Sequence, residues 1–185
     1  MKKTSLLLLV TTLSLAGASA FGGTLTFNGN TTGLSPFNRP TEPGDALSDI
    51  GTAVPYFAQQ FTVGLSGNYN LVLQAANPGA YDSFLHLYAG SFNAAAPLNN
   101  FLAANDDAPG GSAFGSALTG VSLMAGGTYV FVTDGFANSD FGAFTASITG
   151  PGTVSVVPEP SAIVLAGLGL ASLCAARRRN NSKTR

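Results

Sequence analysis

The sequence predicts an all-β fold, an antiparallel β-sandwich or jelly roll of about eight strands. Three observations predict it. Apolar residues alternate with polar ones at a period of two, which puts every second side chain on one face of a strand. Clusters of Gly, Pro, Asn, Asp and Ser cut those runs at intervals of roughly eight to twelve residues, the spacing of turns in a sandwich. Between residues 21 and 157 nothing has the helical period of about 3.6 residues.

The elements follow in order. Residues 1–20 read as a secretory signal peptide: Lys2 and Lys3, an apolar core, then Ala18-Ser19-Ala20 in the A-x-A pattern, with cleavage before Phe21. The domain then spans residues 21–152. Residues 23–28 alternate as a first strand. Residues 28–54, rich in Gly, Pro, Asn, Asp, Ser and Thr, predict a long loop with one short extended piece. Asn30-Thr31-Thr32 matches a glycosylation sequon and is read as turn residues. Phe57, Gln59, Phe61, Val63 and Leu65 face one way on the next strand. Ser66-Gly67-Asn68 turns the chain into a strand carrying Tyr69, Leu71, Leu73 and Ala75. Residues 82–88 (DSFLHLY) are nearly continuously apolar, which predicts burial on both faces. Short strands follow at residues 100–104, 117–124, 129–133 and 142–149. Between them lie loops at 105–112 and 134–140 and a turn at Ala125-Gly126-Gly127. Gly150-Pro151-Gly152 closes the domain, and residues 153–160 read as a linker ending in Pro158-Glu159-Pro160.

Residues 161–176 form an apolar stretch that predicts a transmembrane helix. At about 1.5 Å per residue it reaches roughly 24 Å, short of the ~30 Å hydrocarbon core, so it suits a transient anchor better than a permanent one. Arg177, Arg178 and Arg179 open a basic tail, residues 177–185. An arginine at the bilayer centre costs about 2.5–3.5 kcal/mol on insertion scales, so this cluster holds its end in the cytoplasm.

Charge excludes some partners. Seven of the eight basic residues lie in the targeting ends. Between them Arg39 alone opposes eight carboxylates, a net charge of −7. Such a surface repels nucleic acid. The single cysteine, Cys174, lies in the apolar stretch, so the exported part has neither a disulfide nor a thiol nucleophile. The single histidine, His86, sits between Leu85 and Leu87 and reads as a hydrogen-bonded strand residue. No G-x-S-x-G elbow and no His/Cys zinc set occurs. Asp106 and Asp107 are adjacent and would diverge on an extended chain. These observations predict no enzyme.

One ligand chemistry has residues to carry it. Calcium takes six to eight oxygens from carboxylates, amides and carbonyls. Asp82, Asn105, Asp106, Asp107, Asp134 and Asp140 all fall at predicted strand ends and would converge if those loops share one end of the sandwich. The alternative is turn chemistry, since Asn and Asp hydrogen-bond their own backbone and tolerate left-handed φ. Both readings stand.

Val157-Pro158-Glu159-Pro160-Ser161, the apolar stretch and Arg177–Arg179 together resemble the PEP-CTERM sorting signal of Gram-negative bacteria. That resemblance implies recognition by an exosortase-type membrane protease, cleavage near Pro-Glu-Pro, and delivery to the cell surface or beyond. Phe37-x-Arg39-Pro40, residues 82–93 (DSFLHLYAGSFN), 102–107 (LAANDD) and 123–133 (LMAGGTYVFVT) resemble a PEP-CTERM passenger domain. The pattern is also similar to the bacterial pre-peptidase C-terminal domain, a CUB-like jelly roll that serves as a non-catalytic module. The A-x-A site implies signal peptidase as a partner, and the resemblance implies the exosortase, the membrane and an exopolysaccharide, with a role in matrix association or adhesion. Two other functions are weighed beside it: a calcium-stabilised accessory domain kept on its membrane anchor, and a secreted polysaccharide hydrolase.

Overall fold

A strand with one apolar face has to bury that face against another layer. In the computed structural model, which describes residues 22–77, 79–108 and 115–158, the alternating segments do so as two packed antiparallel sheets. In chain order the strands are β1 (Gly23–Asn30), β2 (Pro36–Phe37), β3 (Val54–Pro55), β4 (Phe57–Val63), β5 (Gly67–Ala75) and β6 (Ser83–Ala89). They continue as β7 (Phe101–Asn105), β8 (Gly115–Leu123), β9 (Thr128–Gly135), β10 (Ala143–Gly150) and β11 (Val154–Val156). One sheet has the order β1-β10-β5-β8 and the other β11-β4-β9-β6-β7, while β2 and β3 form a separate pair. The expected sandwich is therefore present. Among the described residues no helix is long and apolar enough to cross a membrane. Outside those residues lie the expected signal peptide with Ala18, Ala20 and Phe21, the remaining sorting residues Glu159, Pro160, Ser161, Arg177, Arg178 and Arg179, and the expected transmembrane helix.

The inner faces interlock. Phe61 and Val63 from β4, Tyr69, Leu71 and Leu73 from β5, and Ile148 from β10 are buried as their alternation requires. Burying one such side chain contributes about 1.5–3 kcal/mol. Phe27, Phe57, Phe131 and Phe144 meet edge to face between the sheets, with Phe27 and Phe131 centroids 5.4 Å apart. Ser116 Oγ donates to the Ser83 carbonyl at 2.7 Å, joining the two sheets.

β6 is buried along both faces from Ser83 to Tyr88, as its composition predicts. The second cover comes from the expected long loop, which is structured rather than open. Residues 31–56 fold over the outer face of the five-stranded sheet, held by the β2–β3 pair and a bridge between Pro40 and Leu47. Phe37 and Val54 pack there against Tyr88, Val130 and Val132. Gly44 sits where this layer touches β7: its φ is +76°, and an added Cβ would strike the Phe101 ring. Glycine meets both demands.

The expected linker begins later than its composition suggests. Val154–Val156 is a strand, zipped to the edge of β4 with Val154 opposite Val63 and Val156 opposite Phe61. The chain reaches this sheet through Gly150-Pro151-Gly152. A Cβ on Gly150 would hit the Tyr69 ring, and one on Gly152 would lie 2.6 Å from the Leu65 backbone nitrogen. Tyr69 itself donates its hydroxyl to the Leu65 carbonyl at 2.8 Å.

Candidate functional sites

The antiparallel register puts the start of β6 beside the ends of β7 and β9, with Leu85 opposite Asn105 and Phe84 opposite Asp134. The acidic loops therefore do share one end of the sandwich. Their side chains divide into two groups. Asp82, Asp106 and Asp107 come together, one oxygen of each lying within 4.8 Å of the others. Asp106 and Asp107 would diverge on an extended chain; β7 stops at Asn105, and the turn that follows brings both into one cluster.

The other three predicted ligands have different duties. Asn105 Oδ1 accepts from the Ala117 N–H at 2.7 Å, tying β7 to β8. Asp140 Oδ2 accepts from the Ala137 N–H at 2.8 Å and shapes its own loop. Asp134 was expected at a strand end facing the loops. It lies inside β9 and is wholly buried, with Oδ2 2.9 Å from His86 Nδ1. The two are diagonal neighbours on the outer face of the sheet, within cross-strand reach.

Arg39 is the residue that sequence spacing hid. It is far from the acidic loops in the chain, yet the cover layer carries it to them, where it lines one open cleft of about 430 Å³ with Asp106, Phe84 and Phe136. Its guanidinium lies 4.1 Å from the Phe84 ring centroid and donates from Nε and Nη2 to the Phe136 carbonyl, at 3.1 and 2.8 Å. Nη1 donates to the Pro40 carbonyl at 3.1 Å. Burial pulls the Arg39 pKa down, against the attraction of Asp134, Asp106, Asp82 and Asp140.

The electrostatics of the cluster follow from like charge and burial. Partial burial, then Asp82 and Asp107, push Asp106 up from 3.8 to about 6, with Arg39 acting the other way. Asp82 is raised by burial and by Asp140 and Asp107. Three converging carboxylates can relieve their repulsion by holding a proton or by holding a hard cation. Asp82, Asp106 and Asp107 would be the side-chain ligands of such a cation, with the remaining oxygens drawn from backbone and solvent.

His86 and Asp134 invite comparison with a hydrolytic dyad, and the geometry answers it. His86 Nε2 is 3.3 Å from the Pro40 carbonyl, which can only accept, so Nε2 carries a proton. Nδ1 faces Asp134 Oδ2 at 2.9 Å. Nε2, the atom that would serve a nucleophile, is therefore spent on the cover layer, and both residues are fully buried.

The second candidate site is where the C-terminal segment leaves the sheet. The Val157 N–H donates to the Gln60 carbonyl at 3.0 Å, one residue beyond β11. Pro158 comes next and lines a cleft of about 480 Å³ with Tyr56, Gln59, Phe92, Val156 and Val157. The folded domain thus holds the chain up to the first proline of Pro-Glu-Pro.

The described fold ends at Pro158, where the sequence passes into a proline-bounded, apolar and then basic segment. Residues 156–179 match the family model of the PEP-CTERM protein-sorting motif. That motif implies export, exosortase processing at the membrane, and a final place at the surface or outside the cell. The comparisons show no pre-peptidase C-terminal domain. No curated protein sequence matches the chain. Among solved structures, the Yersinia pseudotuberculosis-derived mitogen is similar at 11% identity and a TM-score of 0.37, covering 70% of this chain and 86% of that one. CBM35 from Cellvibrio japonicus Abf62 is similar at 14% identity and a TM-score of 0.39, covering 74% and 99%. At these scores neither likeness bears on function.

Proposed function

We propose that this chain is an exported, non-enzymatic surface or matrix protein: a β-sandwich passenger that an exosortase-type protease cuts near Pro158-Glu159-Pro160 and releases from its transient anchor. The observation that carries the reading is the motif match over residues 156–179, which starts on the final residue of the last strand of the sheet. The buried His86–Asp134 pair supports a non-catalytic domain, because its outer nitrogen is bound to the Pro40 carbonyl. Association with exopolysaccharide, or adhesion, is the role that fits a protein so delivered. Cell fractionation of the wild type against Glu159→Ala tests the sorting. The wild type is expected outside the inner membrane without residues 161–185, and the variant uncut in the membrane. Intact wild type held in the inner membrane would favour a retained accessory subunit.

A second reading concerns calcium, and the meeting of Asp82, Asp106 and Asp107 within 4.8 Å favours it. In this reading the ion is structural and offsets the repulsion that raises Asp106. Calcium at about 100 times its Kd should stabilise the domain by about 2.7 kcal/mol. Melting curves with calcium and with chelator, repeated on Asp107→Ala, test this. No calcium-dependent shift would return the cluster to turn chemistry.

A further inference from the structure

We infer that β11 is a strand handed from the domain to its processing protease: it pairs with β4 in the folded protein and has to leave β4 before the chain can be cut. The inference rests on the sorting function proposed above. The matched motif begins at residue 156, whereas the fold ends later. Val156 is paired with Phe61, and Val157 donates to Gln60 at 3.0 Å. The first residues of the sorting motif therefore belong to the sheet.

Extended peptides are commonly recognised by adding them as a strand to an exposed sheet edge, and a protease that reads the residues ahead of its scissile bond in this way needs their backbone groups free. Here no free residue stands between the last sheet hydrogen bond and Pro158. The backbone groups that Ser155 and Val157 turn toward β4 cannot pair with an enzyme at the same time. A membrane-embedded enzyme also has the bulk of the sandwich directly against it.

The structure makes the hand-over feasible. β11 spans only Val154–Val156, and its side chains are half-buried or exposed. Short edge strands with few buried contacts open most readily in native proteins. Of the strand's side chains only Val154 packs against the main core, and it is half-buried. The turn before it is fixed, with Gly152 pressed on Leu65 and the Gly64 N–H donating to the Thr153 carbonyl at 2.8 Å. Release would therefore begin at Val157 and stop near Thr153, exposing four residues ahead of Pro158.

A cross-strand disulfide tests this. Ser155 lies opposite Thr62, on the outer side of the sheet. Facing residues of an antiparallel pair have Cα atoms about 4.5–5.5 Å apart, within the range a disulfide spans. The full chain carrying Thr62→Cys, Ser155→Cys and Cys174→Ser is expressed in cells that hold the cognate protease, and precursor and mature forms are followed by pulse-chase. The oxidised lock should slow processing at least about tenfold, a permeant reductant should restore it, and the reduced variant should melt with the wild type. Should this variant fail to fold, Val63→Cys with Val154→Cys locks the neighbouring register pair. Processing of the locked chain at the wild-type rate overturns the inference while leaving the sorting function intact. A wild type that is never cut fails the sorting function and this inference together.

Discussion

His86 and Asp134 show how much a single buried pair can organise. Asp134 is fully buried, and burial pushes its carboxyl pKa up while His86 and then Arg39 draw it down. Removing one partner leaves a buried polar group unmatched. His86→Leu should therefore cost about 3–5 kcal/mol in denaturant unfolding. His86→Leu with Asp134→Leu should cost clearly less than either change alone, since apolar replacement of a whole buried pair is often close to neutral. Asp106 gives a prediction in pH. Its folded pKa is raised from 3.8 to about 6, so in that window the folded state keeps a proton that the unfolded chain has released. Stability is then highest at the acid side and falls as pH climbs through the window. Asp106→Asn should flatten that slope and raise the melting temperature at pH above about 7, as thermal melts across pH would register. The acidic residues were visible in the sequence as candidates. Their division was not, because it depends on His86 lying diagonal to Asp134 and on Arg39 arriving from the cover layer.

At the scale of elements, alternation made β1, β4 and β5 legible, β-branched and aromatic composition made β9 legible, and the run from Ser83 to Tyr88 announced a strand buried on both faces. What covers that second face was not legible. Residues 31–56 have turn composition, and their order comes from long-range contacts such as Phe37 against Val132 and Arg39 against Phe136. β11 was read as spacer for a related reason: three residues carry no period, and their pairing comes from β4's free edge. Gly150 and Gly152 make the crossover that delivers it. Gly150→Ala should destabilise by about 1–3 kcal/mol through collision with the Tyr69 ring. Tyr69→Phe should cost about 0.5–1.5 kcal/mol by leaving the Leu65 carbonyl without its donor. Urea unfolding of each variant measures both.

For the whole molecule, two features act together. The sandwich closes its own core between two sheets and a packed loop, with no need of cysteine. Its last strand already carries the first residue of the sorting motif, so folding and processing meet at Val156 and Val157. Four steps along the chain separate Val157 from Ser161, so the uncut protein can set its domain at most about 14 Å from the apolar stretch, at roughly 3.3–3.6 Å per extended residue. Fold and destination are thus coupled through one short edge. The most direct test of the central claim is the intact mass of the protein recovered from cells that carry the matching protease. A mature species that begins at Phe21 and ends near Pro158-Glu159-Pro160 is the predicted result. A single species retaining residues 161–185 would contradict it.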